Sequence, residues 1–220
     1  MAKRVLRAWK VQKPVAVIPS GVELHHVNDR RAELRKKYHL PAGAKVLLYA
    51  GRLSKEKNIP FLLKAFSKLE EKDVYLALVG GGPLLKEIRN SKFEIRNLVC
   101  TGEVPYPEIL SYYSMGDIFV FSSTTETQGL VLAEAKAAGL PVVALFAGGL
   151  AGTVRSGLDG YLVPRKLESF VEHIKRLLTD DNLREKMSRA AREDARERFS
   201  SVAVAKQIET VYNSLIKRGD

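Results

Sequence analysis

The chain has 220 residues and only one cysteine, Cys100, set in the apolar run Asn97-Leu98-Val99-Cys100-Thr101. A lone thiol excludes an intramolecular disulfide framework and fits a reducing compartment. Among apolar neighbours it reads as inert rather than nucleophilic. No stretch reaches the ~20 consecutive apolar residues of a membrane span. The first residues lack the apolar core and small-residue cleavage site of a secretory leader, so the expected location is cytoplasmic. Also missing are a G-x-S-x-G elbow, an Asp-x-Asp pair to hold a divalent cation, and the Gly-Lys-Ser/Thr ending of a P-loop. The four histidines lack metal-ligand spacing: His25 and His26 are adjacent, His39 ends a helical pattern and His173 lies inside one. These absences predict neither a metal nor a cofactor. Aromatics are sparse, at 8%, and do not interleave with the basic residues. That argues against a nucleic-acid binder despite a net charge of +11. The positive excess is spread over several helices. It fits a solvated Lys- and Glu-rich surface, or peripheral contact with an anionic membrane.

What is present is a substantial apolar fraction, 45%, arranged as alternating strands and helices. Apolar runs at 15–18, 46–50, 74–79, 98–101, 118–121, 142–146 and 160–163 read as strands covered on both faces. Helical patterns lie between them at 29–38, 59–69, 83–91, 107–114 and 129–138. This rhythm predicts an α/β fold, a doubly wound parallel sheet that binds ligands at the carboxyl ends of its strands. From 166 to 218 only helix is expected, with three apolar stripes read as packing faces: Phe170/Ile174/Leu177/Leu178, Leu183/Met187/Ala190/Ala191 and Val202/Ile208/Val211/Tyr212/Leu215. Residues 1–14 read as a linker or the remnant of a preceding domain, with a short basic amphipathic helix over 3–10. Residues 15–200 form the ligand-binding domain and 201–220 a C-terminal helix.

The chemistry gathers at the predicted strand ends. Glu126 follows one strand in Ser122-Ser123-Thr124-Thr125-Glu126-Thr127-Gln128-Gly129. Glu134 sits eight residues on, about 2.2 helical turns away. Between them, unpaired amides at a helix start favour an anion such as phosphate. Two carboxylates flanking such a point suit the hydroxyls of a nucleotide sugar. In Gly51-Arg52-Leu53-Ser54-Lys55-Glu56-Lys57-Asn58, Gly51 permits a tight turn, and Arg52 and Lys57 suit a pyrophosphate. Gly80-Gly81-Gly82-Pro83 lets backbone approach a ligand or simply turns tightly. Gly102-Glu103-Val104-Pro105 offers main chain to a base edge or is an ordinary loop. Gly148-Gly149-Leu150-Ala151-Gly152 is a ligand-contact loop or a mobile surface loop.

Together these motifs resemble the C-terminal, donor-binding domain of family 4 glycosyltransferases, retaining enzymes of GT-B architecture. The similarity runs from Ile18-Pro19-Ser20-Gly21-Val22 through the Gly51 and Gly80 loops and the Glu126–Glu134 pair to Gly157-Leu158-Asp159-Gly160-Tyr161. The resemblance implies a hexosyltransferase using a UDP or GDP sugar without a metal. By it, Glu126 binds the donor hexose and Glu134 the ribose. Arg52 and Lys57 stabilise the leaving diphosphate; backbone at Gly51, Gly80, Gly82 and Val104 contacts the donor; and Gln128, Gly129, Leu130 and Val131 present amides to it. It also implies an N-terminal acceptor domain that this chain lacks, and hence weak donor binding and little transfer by the chain alone. Two positions depart from the family pattern. Ala151 and Gly152 replace Pro-Glu, and Thr127-Gln128 replaces Ser-Phe; the resulting Glu-Thr-Gln-Gly looks like members that glycosylate lipids. Half of a nucleotide-sugar epimerase, and a non-catalytic nucleotide-sugar or membrane binding module, stand as alternatives.

Overall fold

The computed structural model describes residue 6 and residues 8–23, 29–90, 95–106 and 108–216. His25, His26 and most of the expected 3–10 helix fall outside them. Six strands form one parallel sheet: β1 (Lys45–Ala50), β2 (Val74–Val79), β3 (Leu98–Gly102), β4 (Ile118–Phe121), β5 (Val142–Leu145) and β6 (Gly160–Val163). Their order is β3-β2-β1-β4-β5-β6. The helices in chain order are α1 (Arg31–Lys37), α2 (Ile59–Ser67), α3 (Leu85–Arg89), α4 (Ile109–Tyr112), α5 (Leu130–Ala137), α6 (Leu167–Thr179), α7 (Asp181–Asp194) and α8 (Ser201–Ile216).

The doubly wound order follows from the sequence's apolar runs. Val46 to Ala50, Ile118 to Phe121 and Val142 to Leu145 are all buried, because helices cover both faces of the central strands. Each fully buried Leu, Val or Phe contributes about 1.5–3 kcal/mol. Strand order reverses between β1 and β4, which opens a crevice outside their carboxyl ends. The loops at Gly51 and Ser122 leave the sheet there.

α5 ends as its glycine dictates. Gly139 has φ +81, its N–H donates to the Lys136 carbonyl at 2.8 Å, and the Leu140 N–H reaches the Ala135 carbonyl at 2.9 Å. This is a Schellman closure, followed by Pro141 at the entry to β5.

Two expectations need correction. The run 15–18 is not a strand, and Val17 is exposed. It lies between Pro14 and Pro19 and pairs with no strand of the sheet; apolar composition without a backbone partner does not make a ladder. Pairing on this segment starts only at Val22, whose N–H donates to the Phe199 carbonyl at 2.7 Å. The third apolar stripe is also not a packing face among the described residues. Val202, Ile208, Tyr212 and Leu215 are exposed, and only Val204 of α8 is buried. Among the described residues α8 buries only Val204, in its first turn, while Val211 of the stripe is half-buried. The first two stripes do pack, through Phe170, Ile174, Leu177, Met187 and Ala191.

Candidate functional site

A cavity of about 400 Å³ occupies the crevice between β1 and β4. Gly51, Arg52 and Lys57 line one wall; Glu126, Gln128, Gly129, Leu130 and Val131 line the other. Loops from two strands distant in sequence therefore supply one site.

Each wall is built locally and then tied across. Gly51 turns with φ +140, and the buried Tyr49 hydroxyl donates to the Arg52 carbonyl at 3.1 Å, fixing the turn from below. Asn58 caps the start of α2 at φ +57, and its side-chain amide donates to the Ser122 carbonyl at 3.2 Å. The Ser122 hydroxyl returns a bond to the Lys57 carbonyl at 3.0 Å. The same loops meet through side chains: Lys57 Nζ lies 2.6 Å from Glu126 Oε1. Lys57 keeps 28% and Glu126 14% of side-chain exposure, so both charges remain reachable from the cavity.

The second wall owes its shape to glycine. Gly129 leads into α5 with φ +68, and a Cβ there would stand 2.2 Å from Leu150. Among the described residues no side chain caps this start, which leaves the first amides of α5 to meet an anion. Gln128 is held by Ser20, whose hydroxyl donates to Oε1 at 3.0 Å; its Nε2 is buried without a partner among the described residues.

The remaining motif residues sit behind or beside the cavity. Gly80 and Gly82 serve close packing, since Cβ atoms would lie 2.3 Å from the Gly51 carbonyl oxygen and 2.6 Å from that of Leu53. The run Gly80–Gly82 thus supports the Gly51 turn from outside the cavity wall. Val104 is half-buried against the core and is not part of the lining. Glu134 also lies outside the lining, on the next turn of α5, where it accepts a 2.7 Å hydrogen bond from Tyr113. Burial raises the Glu134 carboxyl above its ordinary value, with the Tyr113 bond pulling the other way. Burial and the adjacent Glu134 carboxylate push the Tyr113 phenol well up.

The sequence reading missed the two tyrosines that shape the site. Tyr49, Phe121, Phe119 and Tyr113 form a continuous aromatic row, with centroids 6.0, 6.1 and 5.7 Å apart. One end supports Arg52 and the other orients Glu134. The signal was a tyrosine in a strand otherwise buried and aliphatic, where its hydroxyl needs a partner. Also missed was a charge cluster around Lys136, which is wholly buried. Its ammonium bonds the Thr153 carbonyl at 2.7 Å, Asp159 at 3.1 Å and Asp194. Its signal was α5 itself, apolar nearly all round, where any charge must be buried and satisfied. Among the described residues no group of three His, Cys, Asp or Glu is placed to hold a metal ion, and no helix is long and apolar enough to cross a membrane.

The family model described as glycosyl transferases group 1 matches residues 30–194. Among curated relatives, an alpha-monoglucosyldiacylglycerol synthase of Streptococcus pneumoniae is 36% identical over 66% of this chain and 35% of its own. Among solved structures, a sucrose-phosphate synthase from Thermosynechococcus elongatus superposes with a TM-score of 0.81 at 28% identity, covering 99% of this chain and 57% of that one. Anabaena HepE, solved with UDP and glucose, superposes at 0.78 with 25% identity over 90% of this chain and 57% of that one. The chain thus spans little more than half of these solved proteins and about a third of the lipid synthase.

Proposed function

The chain belongs to the glycosyl transferases group 1 family, and on that premise we propose that it is the donor-binding part of a retaining hexosyltransferase. The observation that carries this is the meeting of Lys57 and Glu126 at the mouth of a cavity ringed by Arg52 and the start of α5. A nucleoside diphosphate needs cationic and amide donors; a hexose needs a carboxylate acceptor beside them. Both stand on facing walls, and a structural neighbour has been solved with UDP and glucose.

In this reading Arg52 grips the diphosphate with its fork and Lys57 supplies a point charge. As the bond to the sugar breaks, negative charge grows on the leaving diphosphate. Arg52, Lys57 and the amides of Gly129, Leu130 and Val131 stabilise it without a metal or cofactor. Gln128 also lines the cavity, and its Nε2 is a buried donor without a partner among the described residues. Glu126 orients the hexose hydroxyls, Glu134 binds the ribose with Tyr113 holding its far oxygen, and backbone near Val104 contacts the base. The sugar goes to an acceptor held by a further domain. A lipid acceptor at an anionic membrane surface fits the +11 charge and the lipid synthase among the relatives.

Calorimetric titration with uridine and guanosine diphosphates and their sugars tests the site. Binding that Arg52→Ala weakens about tenfold is the expected result, as for loss of one charge-assisted contact. Binding that neither Arg52→Ala nor Glu134→Ala alters would place the ligand elsewhere.

A further inference from the structure

Five charged groups lie together away from the cavity: Lys136 of α5, Arg155, Asp159, Asp194 at the end of α7, and Arg198. Lys136, Asp159 and Asp194 are completely buried. Arg155 reaches Asp159 at 3.1 Å and Asp194 at 2.9 Å, and Arg198 reaches Asp194 at 2.9 Å. Two carboxylates thus gather three cations, a costly arrangement whose replacement by apolar residues is often neutral for stability. Stability alone is a weak account of it.

Its outward bonds lead to the site. Lys136 donates to the Thr153 carbonyl, and Arg198 donates to the Gly152 carbonyl. The Thr153 side chain, itself buried, donates through its hydroxyl to the Gln128 carbonyl at 3.0 Å. Four residues back, Gly149 presses so closely on the site loop that a Cβ would stand 2.0 Å from the Glu126 carbonyl oxygen. The cluster therefore clamps the segment 149–153, and that segment is the floor on which Glu126 to Gly129 rests.

We propose that Lys136 is a positioning residue that, through Thr153, holds the Gln128–Gly129 turn in the shape that receives the ligand. This rests on the donor-site reading above, and it adds to it a device two hydrogen bonds removed from the cavity lining. The geometry makes a distinctive demand: cutting the last link, Thr153 to Gln128, should reproduce the effect of cutting the first.

The test compares Lys136→Met, Thr153→Val and the double variant for affinity toward uridine diphosphate, at a temperature where near-ultraviolet circular dichroism shows each folded. Leu177→Ala, a cavity in the remote buried face of α6, serves as a destabilised control. Each single variant is expected to bind about tenfold more weakly, a loss of ~1.4 kcal/mol. The double variant should be no worse than either, because both break one chain. Leu177→Ala should bind as the parent does. Hydrogen exchange over 126–131, measured without ligand, should quicken in Thr153→Val while the β1 and β4 amides keep their protection. Folded variants with unchanged affinity and unchanged exchange overturn the proposal. If Lys136→Met does not fold, Thr153→Val decides alone. If the parent binds no nucleoside diphosphate, the donor-site reading falls, and the exchange measurement still decides whether the clamp holds the turn.

Discussion

Two lysines in this molecule sit against carboxylates, and they live in opposite surroundings. Lys57 meets Glu126 at the edge of a cavity, with both side chains partly open. Lys136 meets Asp159 and Asp194 where no part of any of the three is exposed. In water the first pair gains little from its contact and either partner is free to turn to a ligand. The second has no solvent to fall back on, so each charge depends on the others. The same pairing of residue types thus serves recognition in one place and rigid construction in the other, and burial alone separates them.

The contrast is sharpest in the buried cluster. Asp194→Ala leaves Lys136 and Arg155 with Asp159 alone, takes from Arg198 the carboxylate it pairs with, and should cost ~3–5 kcal/mol, read from urea unfolding. A loss under ~1 kcal/mol would erase the distinction between the pairs. Lys57→Ala should behave the other way, with stability within about 1 kcal/mol of the parent. Its affinity for uridine diphosphate should fall about 10- to 100-fold, as expected for a charge-assisted contact. Glu126→Gln is a finer probe. A nucleoside diphosphate without sugar should bind it within about twofold of the parent, while the sugar-bearing form loses about fivefold, ~1 kcal/mol by calorimetry.

The smallest effect is expected at Glu134, intermediate between the two settings. Its carboxyl titrates above the ordinary 4.5 because burial disfavours the charge. The folded chain then holds a proton that the unfolded chain has released, so stability falls as pH rises through that window and is intact below it. Glu134→Gln keeps an acceptor for Tyr113 and abolishes the fall. The variant should melt above the parent at neutral pH and with it on the acid side. A variant that melts lower at neutral pH would show the carboxylate to be stabilising.

Much of this was legible in the sequence. The central strands announce themselves because a strand covered on both faces is apolar at every position, as Leu47 to Ala50 and Ile118 to Phe121 are. Gly51, Arg52, Lys57, Glu126 and 128–131 of the cavity lining were legible as well, because the strand ends of a doubly wound sheet are where ligand chemistry collects. What stayed hidden depends on distance along the chain. Lys136 stands on an apolar helix that hints at a buried charge, but its partner Asp194 lies 58 residues away and is not named by that hint. Gly80 and Gly82 read as a loop that approaches a ligand or as a tight turn, and only the fold shows how closely they stand against the backbone of Gly51 and Leu53. The run 15–18 and the α8 stripe failed for one reason: apolar residues announce a wish for burial and do not say whether a partner surface exists.

The two walls of the cavity hang from β1 and β4, adjacent in the sheet while all of β2 and β3 intervenes in the chain. Nothing short of that long-range pairing brings Lys57 to Glu126. The loop-closure entropy of the intervening segment must be overcome first, which makes the β1–β4 junction a slow step in assembly. A stopped-flow signal from ligand capture would therefore lag behind helix formation and time the moment at which the two halves of the sheet join.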